Sequence, residues 1–438
     1  MGVIPVANIK WFTTTEQDCW KEKEYKESIC ETKSDLRLTG DTDQVIDGFG
    51  ACFNELCEIA LEDLSSEDRE KVLDLLFKPD EDGLRLNYNR MPIGASDYAE
   101  RWYSYNEVED DYEMEHFSID GDRRYLLPMI KDAYKRNGSM TLFASPWSPP
   151  TWMKFPKAYN FGTLKWNEKN LKAYALYFAK FVEAYEKEGI KIDAIHVQNE
   201  PFSDQKFPSC KWTGEQFIEF IGKYLGPTFK ERGIKSKIFL GTLNSGIIEA
   251  YNEYMNAILN DPVASAYTDG IGLQWAGKGN APLMHESWPE IYTIQTENEC
   301  GDGGNSWHYA KYIYSLFRHY FTYGVRAYTY WNSVLPKGGM STWGWKQNSM
   351  VTVEDGQYKL NYEYYIMKHF SRFVRQGAVR LVLEGHWTSN SVAFKNPDGS
   401  IVLATQNPFK KPHTLHFDLE GKKYSFELPA DSINTFVF

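Results

Sequence analysis

The chain has 438 residues, 42% of them hydrophobic and 25% charged, an ordinary globular composition with length enough for one barrel-sized domain and a smaller one. Its net charge of −12 and its interspersed acidic and basic residues argue against nucleic acid or an anionic membrane surface as a partner. No apolar run is long enough to cross a bilayer, so membrane insertion is not expected. The segment Met1-Gly2-Val3-Ile4-Pro5-Val6 lacks a basic stretch followed by an apolar core, which points to a cytoplasmic protein as the chain stands, or a secreted one if a signal peptide has been removed. Cysteines at 19, 30, 52, 57, 210 and 300 lack CxxC spacing and read as free or buried thiols.

Strand-like patches at 9–14 and 35–39 come first. Short apolar runs at 45–53, 84–93, 140–144, 192–197, 237–243, 270–275, 292–296 and 325–331 then read as eight strands. Amphipathic helices are expected between them at 65–77, 123–136, 168–188, 214–232, 247–260 and 306–323. In 170–188, Leu171, Tyr174, Ala175, Phe178, Phe181, Val182 and Tyr185 recur at three- and four-residue steps, the mark of a helix lying on a sheet. Such alternation spells an α/β fold, a (β/α)8 barrel, with a last helix at 362–373 closing it. Beyond Ala378 come short strands at 379–383, 391–395, 401–406, 413–419, 423–428 and 432–438, separated by turns such as Asn396-Pro397-Asp398-Gly399. They suit a β-sandwich, and the N-terminal strands join it because the two ends of a chain commonly meet. The expected organisation is N-terminal sandwich strands in 1–40, the barrel in 41–376 and the rest of the sandwich in 377–438.

Two of the strand ends carry glutamates, in Gln198-Asn199-Glu200-Pro201 after the fourth strand and Thr296-Glu297-Asn298-Glu299 after the seventh. Parallel strands of one barrel deliver their C-terminal tips to one face. Two facing carboxylates are what retaining glycoside cleavage needs, one as acid and then base, the other as nucleophile. Strand period points Glu297 and Glu299 the same way; Glu297 is favoured because it lies immediately beyond the apolar strand. Asn199 is placed to donate to a sugar 2-hydroxyl, and Arg90 at the second strand's tip is the candidate cation that keeps the nucleophile ionised. Trp147, Trp152, Trp275 and Trp331 sit at or just after strand tips, with Trp343 and Trp345 in the loop after the eighth strand. Each alone is more readily core than platform, but their concentration on one face suits the flat apolar side of a sugar. Asp97, Asn332 and Asn348 are polar candidates there. HExxH, P-loop, GxSxG and clustered metal-ligand patterns are absent, so no cofactor or metal is expected.

Asp47-Gly48-Phe49-Gly50-Ala51, Asn89-Arg90-Met91-Pro92-Ile93-Gly94-Ala95-Ser96-Asp97-Tyr98 and Ser145-Pro146-Trp147-Ser148-Pro149-Pro150-Thr151-Trp152-Met153-Lys154 resemble family 30 of the glycoside hydrolases, the family of lysosomal glucosylceramidase. Asn199-Glu200-Pro201, Thr296-Glu297 and Trp331-Asn332 continue the series in order. The resemblance implies a barrel with a side sandwich built from both chain ends. It also implies a retaining β-glycosidase with Glu200 as acid/base, Glu297 as nucleophile, and sugar contacts from Asp97, Trp152, Asn199 and Trp331. Where glucosylceramidase has His-Trp-Tyr at the sixth strand, this chain reads Gln274-Trp275-Ala276, which alters the wall beside the nucleophile and puts Gln274 in the site. The substrate expected is a small β-glycoside or oligosaccharide, with glucosidase, xylosidase or fucosidase activity. An endo-acting β-1,6-glucanase or xylanase is the alternative, and a non-catalytic carbohydrate-binding barrel a remoter one.

Overall fold

The structure, a computed structural model, describes residues 9–25, 33–80 and 82–438. Eight parallel strands close a barrel: β1 (Gly48–Cys52), β2 (Tyr88–Pro92), β3 (Thr141–Ser145), β4 (Ala194–His196), β5 (Lys237–Leu243), β6 (Gly270–Gln274), β7 (Thr293–Glu297) and β8 (Ala327–Asn332). Each strand pairs with its sequence neighbours, and β8 returns to β1. Strands covered on both faces need no polar alternation, and β1, β2, β6, β7 and β8 are buried along their whole lengths. Close approach dictates the Gly48-Phe49-Gly50 pattern, since a Cβ on Gly50 would lie 1.6 Å from the Tyr88 carbonyl oxygen. Helix Glu168–Lys187 starts at Asn167, whose side chain accepts from the Asn170 N–H, and it buries the apolar face that the periodicity marks. No helix among the described residues is long and apolar enough to cross a membrane.

An apolar plug of Tyr88, Phe143, Ala194, Phe239, Ile294 and Ala327 forms a separate cluster in the barrel, drawn from residues in or near the N-terminal halves of the strands. Polar groups collect instead at the C-terminal tips. Register shifts fall there too, between Leu240 and Leu243, Leu273 and Gln274, and Tyr330 and Asn332. Such irregularities re-aim side chains beside functional sites.

Among the described residues, nine strands make the second domain. Lys10–Thr14 pairs with the last strand, Ser432–Val437, and Leu36–Val45 pairs with Val379–Glu384 and His413–Leu419. Leu36–Val45 thus carries the sandwich past residue 40, and the first barrel strand begins at Gly48. Trp11, Phe426 and Phe436 pack within it, the two phenylalanine rings 4.0 Å apart. Helix Tyr362–Ser371 joins the domains. His369 sits between Thr14 and Thr435 with both ring nitrogens 2.9 Å from a hydroxyl, and Phe370 stacks on Phe317 at 4.5 Å.

Several elements go beyond the sequence reading. Helix Ala281–Ser287, the hairpin Lys154–Phe155 with Thr163–Leu164, and a small sheet of Val334–Pro336, Val351–Glu354 and Gln357–Leu360 all lie in segments to which the sequence reading assigns no element. Cys19, Cys52, Cys57, Cys210 and Cys300 are free thiols; Cys30 lies outside the described residues. Phe370→Ala should cost about 3–5 kcal/mol through the cavity it leaves at the junction. Differential scanning calorimetry should show barrel and sandwich both melting earlier.

Candidate active site

Arg90, the third residue of β2, is fully buried and reaches across the top of the barrel. Nη1 donates to Glu297 Oε2 at 2.7 Å and to the Thr296 carbonyl at 3.3 Å. Nη2 donates to Asn199 Oδ1 at 2.7 Å, and Nε and Nη2 reach Ser145 Oγ at 3.1 and 2.8 Å. The rings of Trp147 and Trp331 lie 4.6 and 5.6 Å from the guanidinium carbon. One side chain thereby ties together groups at the ends of β2, β3, β4 and β7.

Glu297 closes β7. Its Oε1 accepts from Trp275 Nε1 at 2.8 Å, so each carboxylate oxygen has a donor. Gln274, the last residue of β6, reaches the other glutamate: Nε2 donates to Glu200 Oε1 at 3.1 Å and to Asn199 Oδ1 at 3.2 Å. Its own Oε1 accepts from Arg90 Nη1 at 3.4 Å and Thr296 Oγ1 at 3.2 Å. Asn199 Oδ1 takes a further bond from Thr242 Oγ1 at 3.0 Å. Glu200 and Trp275 adopt left-handed backbone conformations, with φ of +49° and +48°. Such residues cost on the order of 1–3 kcal/mol each and persist where the surroundings over-determine them. Here the Glu200 N–H donates to the Thr242 carbonyl at 3.1 Å, and the Glu200 carbonyl accepts from the Ser203 N–H at 2.9 Å.

Asp97, Glu200 and Glu297 line one cavity of about 180 Å³, together with Trp147, Asn199, Ser203, Gln205, Phe207, Asn244, Trp275, Ala276, Trp345 and Gln347. Burial first, and then the Glu297 charge, pushes the Glu200 carboxyl up to about 7, against the pull of Gln274, Ser203 and Arg90. Burial raises Glu297 as well, but the Arg90 charge and the donors on both oxygens work against it. The one proton that the pair holds near neutrality therefore belongs on Glu200. Asp97 is driven well above the usual carboxylate range by burial and by both glutamates.

A family model described as the Glycosyl hydrolase family 30 TIM-barrel domain matches residues 46–374, and one described as the family 30 beta sandwich domain matches 377–436. The chain belongs to glycosyl hydrolase family 30. It is 29% identical over 424 residues to Putative glucosylceramidase 3 of Caenorhabditis elegans, covering 90% of this chain and 80% of that one. It is also 29% identical over 425 residues to Endo-1,6-beta-D-glucanase BGN16.3 of Trichoderma harzianum, covering 90% and 84%. The crystal structure of SrfJ from Salmonella typhimurium shares the fold with a TM-score of 0.89 at 22% identity, over 98% of this chain and 99% of that one. Members of family 30 are glycoside hydrolases, so the protein is an enzyme acting on a carbohydrate.

Within this family 30 site, Arg90, Asp97, Asn199, Glu200, Gln274 and Glu297 come together as the motifs suggest. Other candidates are placed differently. Trp152 is packed in the main hydrophobic core, where Nε1 donates to the Asn106 carbonyl at 3.0 Å and the ring meets Tyr112; it braces a loop and does not line the cavity. Trp331 lies behind Trp147, with ring centroids 5.3 Å apart, and supports the wall. Asn332 holds the cavity residue Gln347 by a 2.8 Å bond from Nδ2 to Oε1. Asn348 serves the loop after β7 and does not line the cavity, whereas Trp345 does, with Trp343 packed against it at 5.3 Å. Glu299 does not share Glu297's direction, because β7 ends at Glu297; its carboxylate pairs with Lys278 and accepts from Tyr312. Ser203, Gln205, Phe207, Asn244 and Gln347 were not foreseen. The four outside the loop after β8 follow β4 and β5, where a barrel puts its functional loops, but no local pattern marks them. Arg90→Met should destabilise the fold by about 3–5 kcal/mol by leaving a buried carboxylate unpaired, and NMR titration should find Glu297 protonating at higher pH than in the native enzyme.

Proposed function

We propose that the enzyme is a retaining β-glycosidase that removes single β-glucosyl units from small glycosides or oligosaccharides, with Glu297 as nucleophile and Glu200 as acid/base. The observation that carries this reading is the unequal treatment of the two glutamates: Arg90 pairs with Glu297 alone, while Glu200 keeps a proton near neutrality. In the first step Glu297 attacks the anomeric carbon as the glycosidic bond breaks, and Glu200 gives its proton to the leaving oxygen. Glu200, now a base, then takes a proton from the water that cleaves the glycosyl ester.

Three bonds hold the Asn199 amide through Oδ1, leaving Nδ2 to donate to the sugar, where a bond to the 2-hydroxyl strengthens as positive charge grows on the ring. Asp97, whose protonated form is favoured by burial and by both glutamates, is suited to bond sugar hydroxyls. A cavity of about 180 Å³ is smaller than the roughly 300–1,000 Å³ of drug-sized ligand sites, which favours one sugar ring over a long chain. The glucosyl choice rests on the names of the curated relatives, a glucosylceramidase and a β-D-glucanase. The second of these supports an endo-β-1,6-glucanase as the other reading, and release of oligomers from a β-1,6-glucan would decide for it.

Hydrolysis of nitrophenyl β-D-glucoside, with the β-sugar released first as seen by proton NMR, is the expected result; no turnover of gluco, xylo or fuco substrates would overturn the proposal. Glu297→Gly should be inactive and yield the α-glucosyl azide when azide is added. The reaction needs Glu200 protonated, so kcat/KM should fall as pH rises through about 7. Glu200→Gln should lose that alkaline limb, and about 10²–10⁴-fold of kcat/KM on alkyl glucosides, but much less of kcat/KM on a dinitrophenyl glucoside, whose leaving group needs no proton.

A further inference from the structure

Glu363, in the first turn of helix Tyr362–Ser371, is completely buried and has no part in the chemistry above. Its Oε1 accepts from Asn348 Nδ2 at 2.8 Å, and its Oε2 is enclosed with no side-chain hydrogen-bond partner among the described residues. On the other side of the same amide, Asn348 Oδ1 accepts from the backbone N–H groups of Gly303 at 2.8 Å and Asn305 at 3.2 Å. The Asn348 N–H donates to the Cys300 carbonyl at 2.7 Å. These contacts all fall on the loop that continues directly from Glu297, and Cys300 Sγ lies 4.0 Å from Glu297 Oε1. The fit is close: Gly301 has φ of +71°, and a Cβ there would meet the Asn348 amide at 2.6 Å. The residue before Asn348 is the cavity residue Gln347.

We propose that Glu363 is a positioning residue for the reaction: by accepting from Asn348 Nδ2 it fixes which way that amide faces, and so clamps the loop that holds Glu297 in line with the sugar. The inference rests on Glu297 being the nucleophile. An amide has one accepting and one donating end. Turned over, Asn348 would point Nδ2 at two N–H donors and release the loop. An apolar side chain at 363 would leave Nδ2 buried without an acceptor, which favours rearrangement of the amide. Burial pushes the Glu363 carboxyl up to about 8, against its own backbone N–H and the Asn348 amide, which favour the charged form. In either form Oε1 accepts from Asn348 Nδ2, as the carbonyl oxygen of glutamine would.

The test is covalent trapping by 2-deoxy-2-fluoro-β-D-glucosyl fluoride, following the saturating rate, the half-saturating concentration and, by peptide mass spectrometry, the labelled residue. Glu363→Leu and Asn348→Ala should trap about 10–100-fold more slowly, as expected for a misaligned nucleophile, with half-saturation changed by less than about threefold. Glu363→Gln should restore the rate to within about threefold of native, and the Leu/Ala double variant should be no slower than either single one. Native-like trapping by Asn348→Ala, or a Glu363→Gln variant as slow as Glu363→Leu, would overturn the proposal. Should Glu363→Leu fail to fold by circular dichroism, Asn348→Ala and Glu363→Gln decide the matter. Label on a residue other than Glu297 in the native enzyme would instead overturn the catalytic assignment, and this inference with it.

Discussion

A single buried guanidinium organises the top of this barrel. Arg90 is the cation within hydrogen-bonding reach of the Glu297 carboxylate, in a site that holds Asp97, Glu200 and Glu297 around one cavity. Taking a charge out of water is expensive unless it is paired and its remaining donors are satisfied. Arg90 meets that condition with Glu297, Asn199, Ser145 and the Thr296 carbonyl, and with the indole rings of Trp147 and Trp331 close by. Because its charge goes to Glu297, the other two carboxyls sit in a buried, negatively charged setting that favours their protonated forms. Two chemically identical side chains are thereby set apart in charge by their surroundings.

The fold exists around that arrangement. The apolar plug fills the barrel next to the N-terminal ends of the strands, and the polar network occupies the C-terminal tips. Irregular pairing at the ends of β5, β6 and β8 and left-handed backbone at Glu200 and Trp275 then turn side chains toward the cavity. Those distortions are sustained by supporting layers. Gln274 joins Glu200 to Arg90, Trp331 backs Trp147, and the Asn348 amide anchors the loop after β7. The sandwich is joined to the barrel by the same helix that carries Glu363, through His369 and Phe370.

Much of this is legible in the chain. The eight strands show because each is a short apolar run ending in polar residues, and strand polarity alone sets Glu200 and Glu297 on one face. Arg90 stands out as a charge between residues that must be buried. What stays hidden is set by tertiary contact. The Ser145 to Lys154 stretch offers two tryptophans, and only packing shows that Trp147 faces the cavity while Trp152 faces Asn106 and Tyr112. Period-two reasoning runs past the strand's end at Glu299, because the strand stops at Glu297 and the Glu299 side chain pairs with Lys278. Ser203, Gln205 and Asn244 reach the site from irregular loops that have no periodicity to read. Helix Ala281–Ser287 is too short to show a repeating face.

The most direct measurement of the central claim is a carbon-13 NMR titration of selectively labelled glutamate carboxyls in the free enzyme, with Glu200→Gln and Glu297→Gln variants to assign the resonances. Glu200 should titrate near 7 in the native enzyme, with Glu297 already ionised, and should shift to lower pH in Glu297→Gln, where the neighbouring charge is gone. A native enzyme in which Glu297 holds the proton and Glu200 ionises in the ordinary carboxylate range would contradict the account.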